Sequence, residues 1–85
     1  MKPIRLSGHA RENMQHRGAM EYEIIDTIRS AAWGQIEGEC FECRKDFAYG
    51  QDWNDKYYAT KRVRSIFVEE AEEIVVMTVY VYYFC

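Results

Sequence analysis

The segment Ile74–Phe84, IVVMTVYVYYF, constrains this chain more than any other. It carries no charge, Gly or Pro, and it is built from β-branched and aromatic residues. A membrane-spanning helix needs about 20 apolar residues, so the segment is too short for one, and its composition favours a strand. Strand side chains alternate between two faces. Val75, Met77, Val79 and Val81 therefore form one apolar row, and Thr78, Tyr80 and Tyr82 form the opposite row. A strand so apolar is expected at the buried centre of a small sheet, with the Val75–Val81 row turned toward whatever covers that sheet.

The cover is expected at the other end of the chain. Ser7 is suited to cap a helix over Gly8–Arg17, and Gly18 to close it. A second helix is expected over Glu21–Ser30, with Ile24, Ile25 and Ile28 as its apolar stripe. Glu21 and Glu23 in its first turn and Arg29 in its last agree with the helix dipole. Two short helices joined by a tight link must bury their stripes against another layer.

Between these ends the pattern changes from helical to alternating. Trp33–Glu37 reads as a short edge strand. In Glu39–Tyr49, Phe41, Cys43 and Phe47 share one parity, whereas Glu42, Arg44 and Asp46 share the other. Gly50–Asp55 is rich in turn residues and reads as a loop, Tyr57–Val68 as a strand, and Glu70-Ala71-Glu72 as a hairpin turn. If Val68 pairs with Ile74, Arg62 falls opposite Tyr80 and Arg64 opposite Thr78, with Ala59, Val63 and Phe67 coreward. A slip by one residue would drive both arginines into the core, so register is strongly specified. The expected fold is α+β: one domain over residues 1–85, with two N-terminal helices on one face of an antiparallel sheet of three to four strands.

A chain of 85 residues supports one domain, and its seven Tyr, four Phe and two Trp supply the large side chains that a small core needs. The net charge of −3 argues against a uniformly basic nucleic-acid binder. The charges are segregated, however. Glu69, Glu70, Glu72 and Glu73 crowd the last turn, where they solvate it and guard the apolar strand from aggregation, while Arg44, Lys45, Lys61, Arg62 and Arg64 lie in two strands. The start of the chain has no apolar leader, and three cysteines make an odd number, so a reducing cytoplasm is expected. Cys40 and Cys43 form a CxxC pair with no second pair to complete a zinc site; on a strand their side chains face opposite ways, and no metal is expected.

The second face of the sheet, carrying Arg62, Arg64, Thr78, Tyr80 and Tyr82 beside Arg44, is expected to be uncovered. Guanidinium groups bind phosphate bidentately, and aromatic rings stack on unpaired bases. The same residue types can support RNA cleavage by the 2′-hydroxyl, with Arg neutralising the phosphate and His, Tyr or a carboxylate moving protons. Arg–Tyr and Arg–Glu pairs also simply solvate a sheet face or fill a dimer interface. His9 and His16 are roughly 10 Å apart at helical rise, too far to share one ion. Either can act as a general acid or base, or as a hydrogen-bonding surface residue.

SGHARENMQHRG followed by EYEIIDTIR, and then ECRKDFAYGQDW, YYATKRVRSIFVEE and EIVVMTVYVYYF, resembles over nearly the whole chain a family of small bacterial proteins filed as a domain of unknown function. That family is similar to the RelE/ParE/BrnT-like toxins. The resemblance implies two helices on an antiparallel sheet and a type II toxin acting as a metal-independent endoribonuclease without a cofactor. Arg62, Arg64 and Tyr80 match superfamily site residues in type and placement. His9 and Arg17 match the helical motif, whose role is not established. Arg44 and Tyr82 would guide RNA, as would Lys61 if its strand is bulged, although simple alternation points Lys61 coreward. The implied partners are a cognate antitoxin and messenger RNA, free or on the ribosome, and no membrane. The competing expectations are a non-catalytic binding protein of the same fold, of the gyrase-inhibitor or degenerate kind, and a homodimer built on the Tyr-rich face.

Overall fold

The computed structural model describes residues 1–85 as β1 (Ile4–Leu6), α1 (Gly8–Arg17), α2 (Glu21–Ser30), β2 (Gly34–Gln35), β3 (Cys40–Trp53), β4 (Lys56–Glu69) and β5 (Ile74–Phe84). The strands form one open sheet in the order β1-β5-β4-β3-β2. The two helices pack on one face of it, α1 on β5 and α2 on β4 and β3. The class is α+β, as expected, but the sheet has five strands and is mixed, because β1 runs parallel to β5. Three residues are too few to display alternation, so β1 was invisible in the sequence; only its bonds to β5 define it. No helix is long and apolar enough to cross a membrane.

The helix ends follow from their caps. The Ser7 hydroxyl accepts from the Ala10 amide at 3.1 Å, and Gly18 closes α1 in the left-handed region at φ 81°. Gly18 is required twice over. A Cβ there would also lie 2.5 Å from the Tyr83 hydroxyl and 2.8 Å from the Trp53 ring. In α2, Ile24, Thr27 and Ile28 are buried against the sheet, where they meet Val63, Phe67, Val76 and Val79 in the core.

The last hairpin corrects the expected register. Glu69 pairs with Ile74, so the turn holds four residues, Glu70–Glu73, closed by a bond from the Glu70 amide to the Glu73 carbonyl. An even turn reverses parity along β5, and a bulge then restores it: Phe67 pairs with Val76 but Ile66 pairs with Thr78, leaving Met77 unmatched. Met77 is 43% exposed rather than buried. Val76 takes the core position beside Phe67, and Val75, paired with Val68, turns to the other face. Val79 and Val81 remain coreward. Arg62 thus stands opposite Tyr82 and Arg64 opposite Tyr80, two residues from the expected partners but on the expected face.

β3 and β4 run farther than their turn residues suggested. Gly50, at φ 61°, sits in a bulge between Ala48 and Gln51, and pairing resumes to Trp53. The chain reverses over Asn54 and Asp55, both at positive φ, the conformation of a tight two-residue hairpin turn. The extension carries Trp53 onto Tyr83, with ring centroids 4.9 Å apart.

β4 is the strand that separates core from surface. Lys61, Val63, Ser65 and Phe67 are buried beneath the helices, while Arg62, Arg64 and Ile66 take the other face. No bulge interrupts β4 at Lys61, so that residue does not join the arginines. Its ammonium lies 2.8 Å from Glu23 Oε1 and 3.0 Å from the Gly18 carbonyl oxygen. The same carboxylate oxygen accepts from the Met20 amide at 2.8 Å. This buried pair ties the link between the helices to the sheet. Removing one member of a buried pair strands the other charge. Lys61→Ala is therefore expected to cost about 3–5 kcal/mol in urea unfolding, whereas Arg62→Ala, one residue on, is expected to cost at most about 1 kcal/mol. Equal losses would contradict the assignment of faces.

Candidate nucleic-acid interface

The face away from the helices is covered by no element of the chain. β3 presents Glu42, Arg44 and Asp46 there, β4 presents Arg62 and Arg64, and β5 presents Thr78, Tyr80, Tyr82 and Phe84. Cross-strand pairing sets Arg62 opposite Asp46 and Arg44 opposite Arg64. Arg62 binds Asp46 through two bonds, Nε–Oδ1 at 2.7 Å and Nη2–Oδ2 at 3.2 Å. Arg64 reaches diagonally to Glu42, Nε–Oε1 at 2.9 Å. Arg44 makes no ion pair and no side-chain hydrogen bond, so it stands as a free cation between the two pairs. Glu42, Arg44, Arg62, Arg64 and Tyr82 line a shallow concavity.

The charges tune one another. The Arg64 hydrogen bond holds the Glu42 carboxyl below its ordinary value, and Arg62 does the same to Asp46; the charge of Arg44 acts in the same direction on both. The arginines are raised in turn. Both carboxylates are therefore poor proton acceptors near neutrality. They orient guanidinium groups without exhausting them. A guanidinium has five donors; Asp46 takes two from Arg62, and Glu42 takes one from Arg64.

The aromatic residues interleave with these cations. The Tyr80 ring has the Arg64 guanidinium carbon 5.4 Å from its centroid and that of Arg17 at 5.0 Å. Phe84 carries Arg62 at 5.0 Å. Such contacts are worth about 0.5–1 kcal/mol each at exposed sites. Tyr82 is 45% exposed. Its hydroxyl contributes to raising Arg64, but no ring or cation stacks on it.

Arg17 was read from the sequence only as part of a helical motif, and the structure brings it to this site. β1 pairs with β5 only as far as Val76. Beyond that point α1 takes over the strand edge: the Val79 amide donates to Asn13 Oδ1 at 3.2 Å, and Arg17 Nη1 donates to the Val79 carbonyl at 2.7 Å. Arg17 crosses the edge and so comes to lie against Tyr80. The Arg-Gly that closes the helix leaves Arg17 as its last side chain, but its place beside Tyr80 follows from α1 lying along the edge of β5.

Of the expected site residues, Arg44, Arg62, Arg64, Tyr80 and Tyr82 share this face. Lys61 lies on the opposite side of the sheet. His9 is exposed in the first turn of α1 and makes no hydrogen bond. At helical rise it stands roughly 12 Å along the axis from Arg17. His16 is exposed as well. Cys43 is a core residue whose thiol is pushed up to about 12 by burial, and Cys40 is half-buried where β3 begins.

Comparison with protein-family models, with curated proteins and with solved structures gave no match.

A carboxylate held below its ordinary value stabilises the fold at neutral pH and loses that contribution as pH falls through its folded value. The Glu42 and Asp46 pairs are therefore expected to weaken below pH of about 4. Both are partly solvated, so their contribution is small. Urea midpoints measured down this range should fall less steeply for Glu42→Gln/Asp46→Asn than for the unmodified protein. Identical slopes would show that the pairs do not persist in solution.

Proposed function

We propose that this chain is the toxin of a type II toxin–antitoxin pair, with a RelE/ParE-like fold, acting in the cytoplasm as a metal-independent endoribonuclease on messenger RNA. One observation carries the reading: on an open sheet face, two guanidinium groups lie against one tyrosine ring, Arg17 and Arg64 on Tyr80, with Arg62 and the unpaired Arg44 beside them. The resemblance of both halves of the sequence to a family of small bacterial proteins that is itself similar to these toxins supports it. In this reading the cognate antitoxin covers the same face.

The chemistry asks for charge neutralisation and two proton transfers. The RNA 2′-oxygen forms a bond to the adjacent phosphorus while the bond to the 5′-oxygen breaks, leaving a 2′,3′-cyclic phosphate and a 5′-hydroxyl. Arg62 and Arg64 offset the charge that grows on the phosphoryl oxygens. Tyr80, whose ring carries Arg17 and Arg64, donates its hydroxyl proton to the departing 5′-oxygen; the 2′-hydroxyl proton passes to water, and solvent returns a proton to Tyr80. His9, expected to share this work, lies roughly 12 Å along the α1 axis from Arg17, so in this reading Tyr80 carries the transfer.

A second reading has its own support. Both strand arginines are engaged by carboxylates, and those carboxylates are held low, so the face offers no strong general base. A binding protein of the same fold, without catalysis, fits that arrangement.

Incubation of RNA with the protein in EDTA separates the two. Cleavage with cyclic-phosphate ends is expected from the unmodified protein, with a loss of about 100-fold or more in Arg62→Ala/Arg64→Ala. RNA bound but uncut selects the binding reading. Equal growth inhibition of bacteria by the unmodified protein and the double variant would remove this face from the function altogether.

A further inference from the structure

Among the aromatic residues of the open face, Tyr82 differs in one respect. Tyr80 is occupied by Arg17 and Arg64, and Phe84 by Arg62. Tyr82, 45% exposed, has a ring that nothing stacks upon, at the rim of the concavity with Arg44, Arg62 and Arg64. It stands directly opposite Arg62, and Arg64 is the next outward residue along β4. Successive outward residues of a strand are about 6.7 Å apart, a spacing close to that of neighbouring phosphates in an extended single strand. Each arginine keeps donors that no carboxylate takes, since Asp46 accepts two from Arg62 and Glu42 one from Arg64.

We propose that Tyr82 is a stacking platform for one unpaired base, and that the remaining donors of Arg62 and Arg64 hold the phosphates on either side of that base. The inference rests on the reading of this face as an RNA site and narrows it to single-stranded RNA. A duplex keeps its bases stacked on each other and presents only phosphates to a flat sheet, so it reaches the arginines but not the ring. The Asp46 and Glu42 contacts fix both guanidinium groups before the ligand arrives, which lowers the ordering cost of binding.

The probes are a 2′-O-methyl oligonucleotide of about eight nucleotides, which cannot be cut through its 2′-oxygen, and the same backbone with its central bases removed. Both carry the same charge. Fluorescence anisotropy is expected to show the intact strand binding about tenfold tighter than the abasic one, the usual scale of one stacked base. Tyr82→Leu should erase that difference, and Tyr82→Phe should keep it. Equal affinity of the unmodified protein for both strands overturns the platform. So does a preference that survives Tyr82→Leu, in which case the face still binds RNA but another ring does the stacking. If neither strand binds, the RNA reading of the face itself is wrong.

Discussion

The last hairpin contains two departures from simple alternation, and the rest of the structure depends on their cancelling. A four-residue turn between β4 and β5 would by itself place Thr78, Tyr80 and Tyr82 under the helices and expose Val79 and Val81. The unmatched residue at Met77 reverses that outcome. Upstream of the bulge, Val76 faces the core; downstream, Val79 and Val81 do. Because each slip moves a whole row to the other face, no intermediate arrangement is available. The bulge thus determines both which residues pack the core and which tyrosines meet the arginines of β4.

On β4 the same alternation puts two kinds of cation side by side. Lys61 is 4% exposed and held by Glu23 and by the carbonyl that ends α1, so its charge is committed to the fold. Arg62 and Arg64 are held by carboxylates of β3 in partly solvated pairs. Solvent screens pairs of that kind, so they contribute little to the fold. In the proposed function a phosphate can therefore share or replace the carboxylates without a large loss to the fold. In that function the carboxylates act as placeholders that align the guanidinium groups, and the neighbouring Arg44 tips the local charge balance toward anions.

Much of this was legible in the chain. Both helices lie where Ser7, Gly18 and the Ile24–Ile28 stripe placed them, and β5 occupies Ile74–Phe84. These features are local: caps, periodicity and a run of apolar residues act over a few positions. What escaped depends on contacts distant in sequence. β1 is defined only by its bonds to β5, and the Met77 bulge only by its mismatch with Phe67 and Ile66. Trp53, expected in a loop, is held in place by Tyr83 and Gly18. Arg17 reached the candidate site because α1 replaces β1 along the β5 edge, a substitution of helix for strand that no pattern in the helix announces. Parity assigned Arg62, Arg64, Tyr80 and Tyr82 to one face even though their partners were displaced by two residues, since an even displacement preserves the face.

In the proposed function the open side of the sheet, and not the helical side, is the working surface of the protein. Backbone amide shifts followed by NMR as a short single-stranded RNA is added test this most directly. The predicted result is a continuous set of perturbed amides on β3, β4 and β5 around Arg44, Arg62, Arg64, Tyr80 and Tyr82, with Arg17 the one helical position to follow. Perturbations centred instead on the exposed side of α1 and α2, around His9, Tyr22 and Arg29, with the sheet amides unmoved, would contradict it.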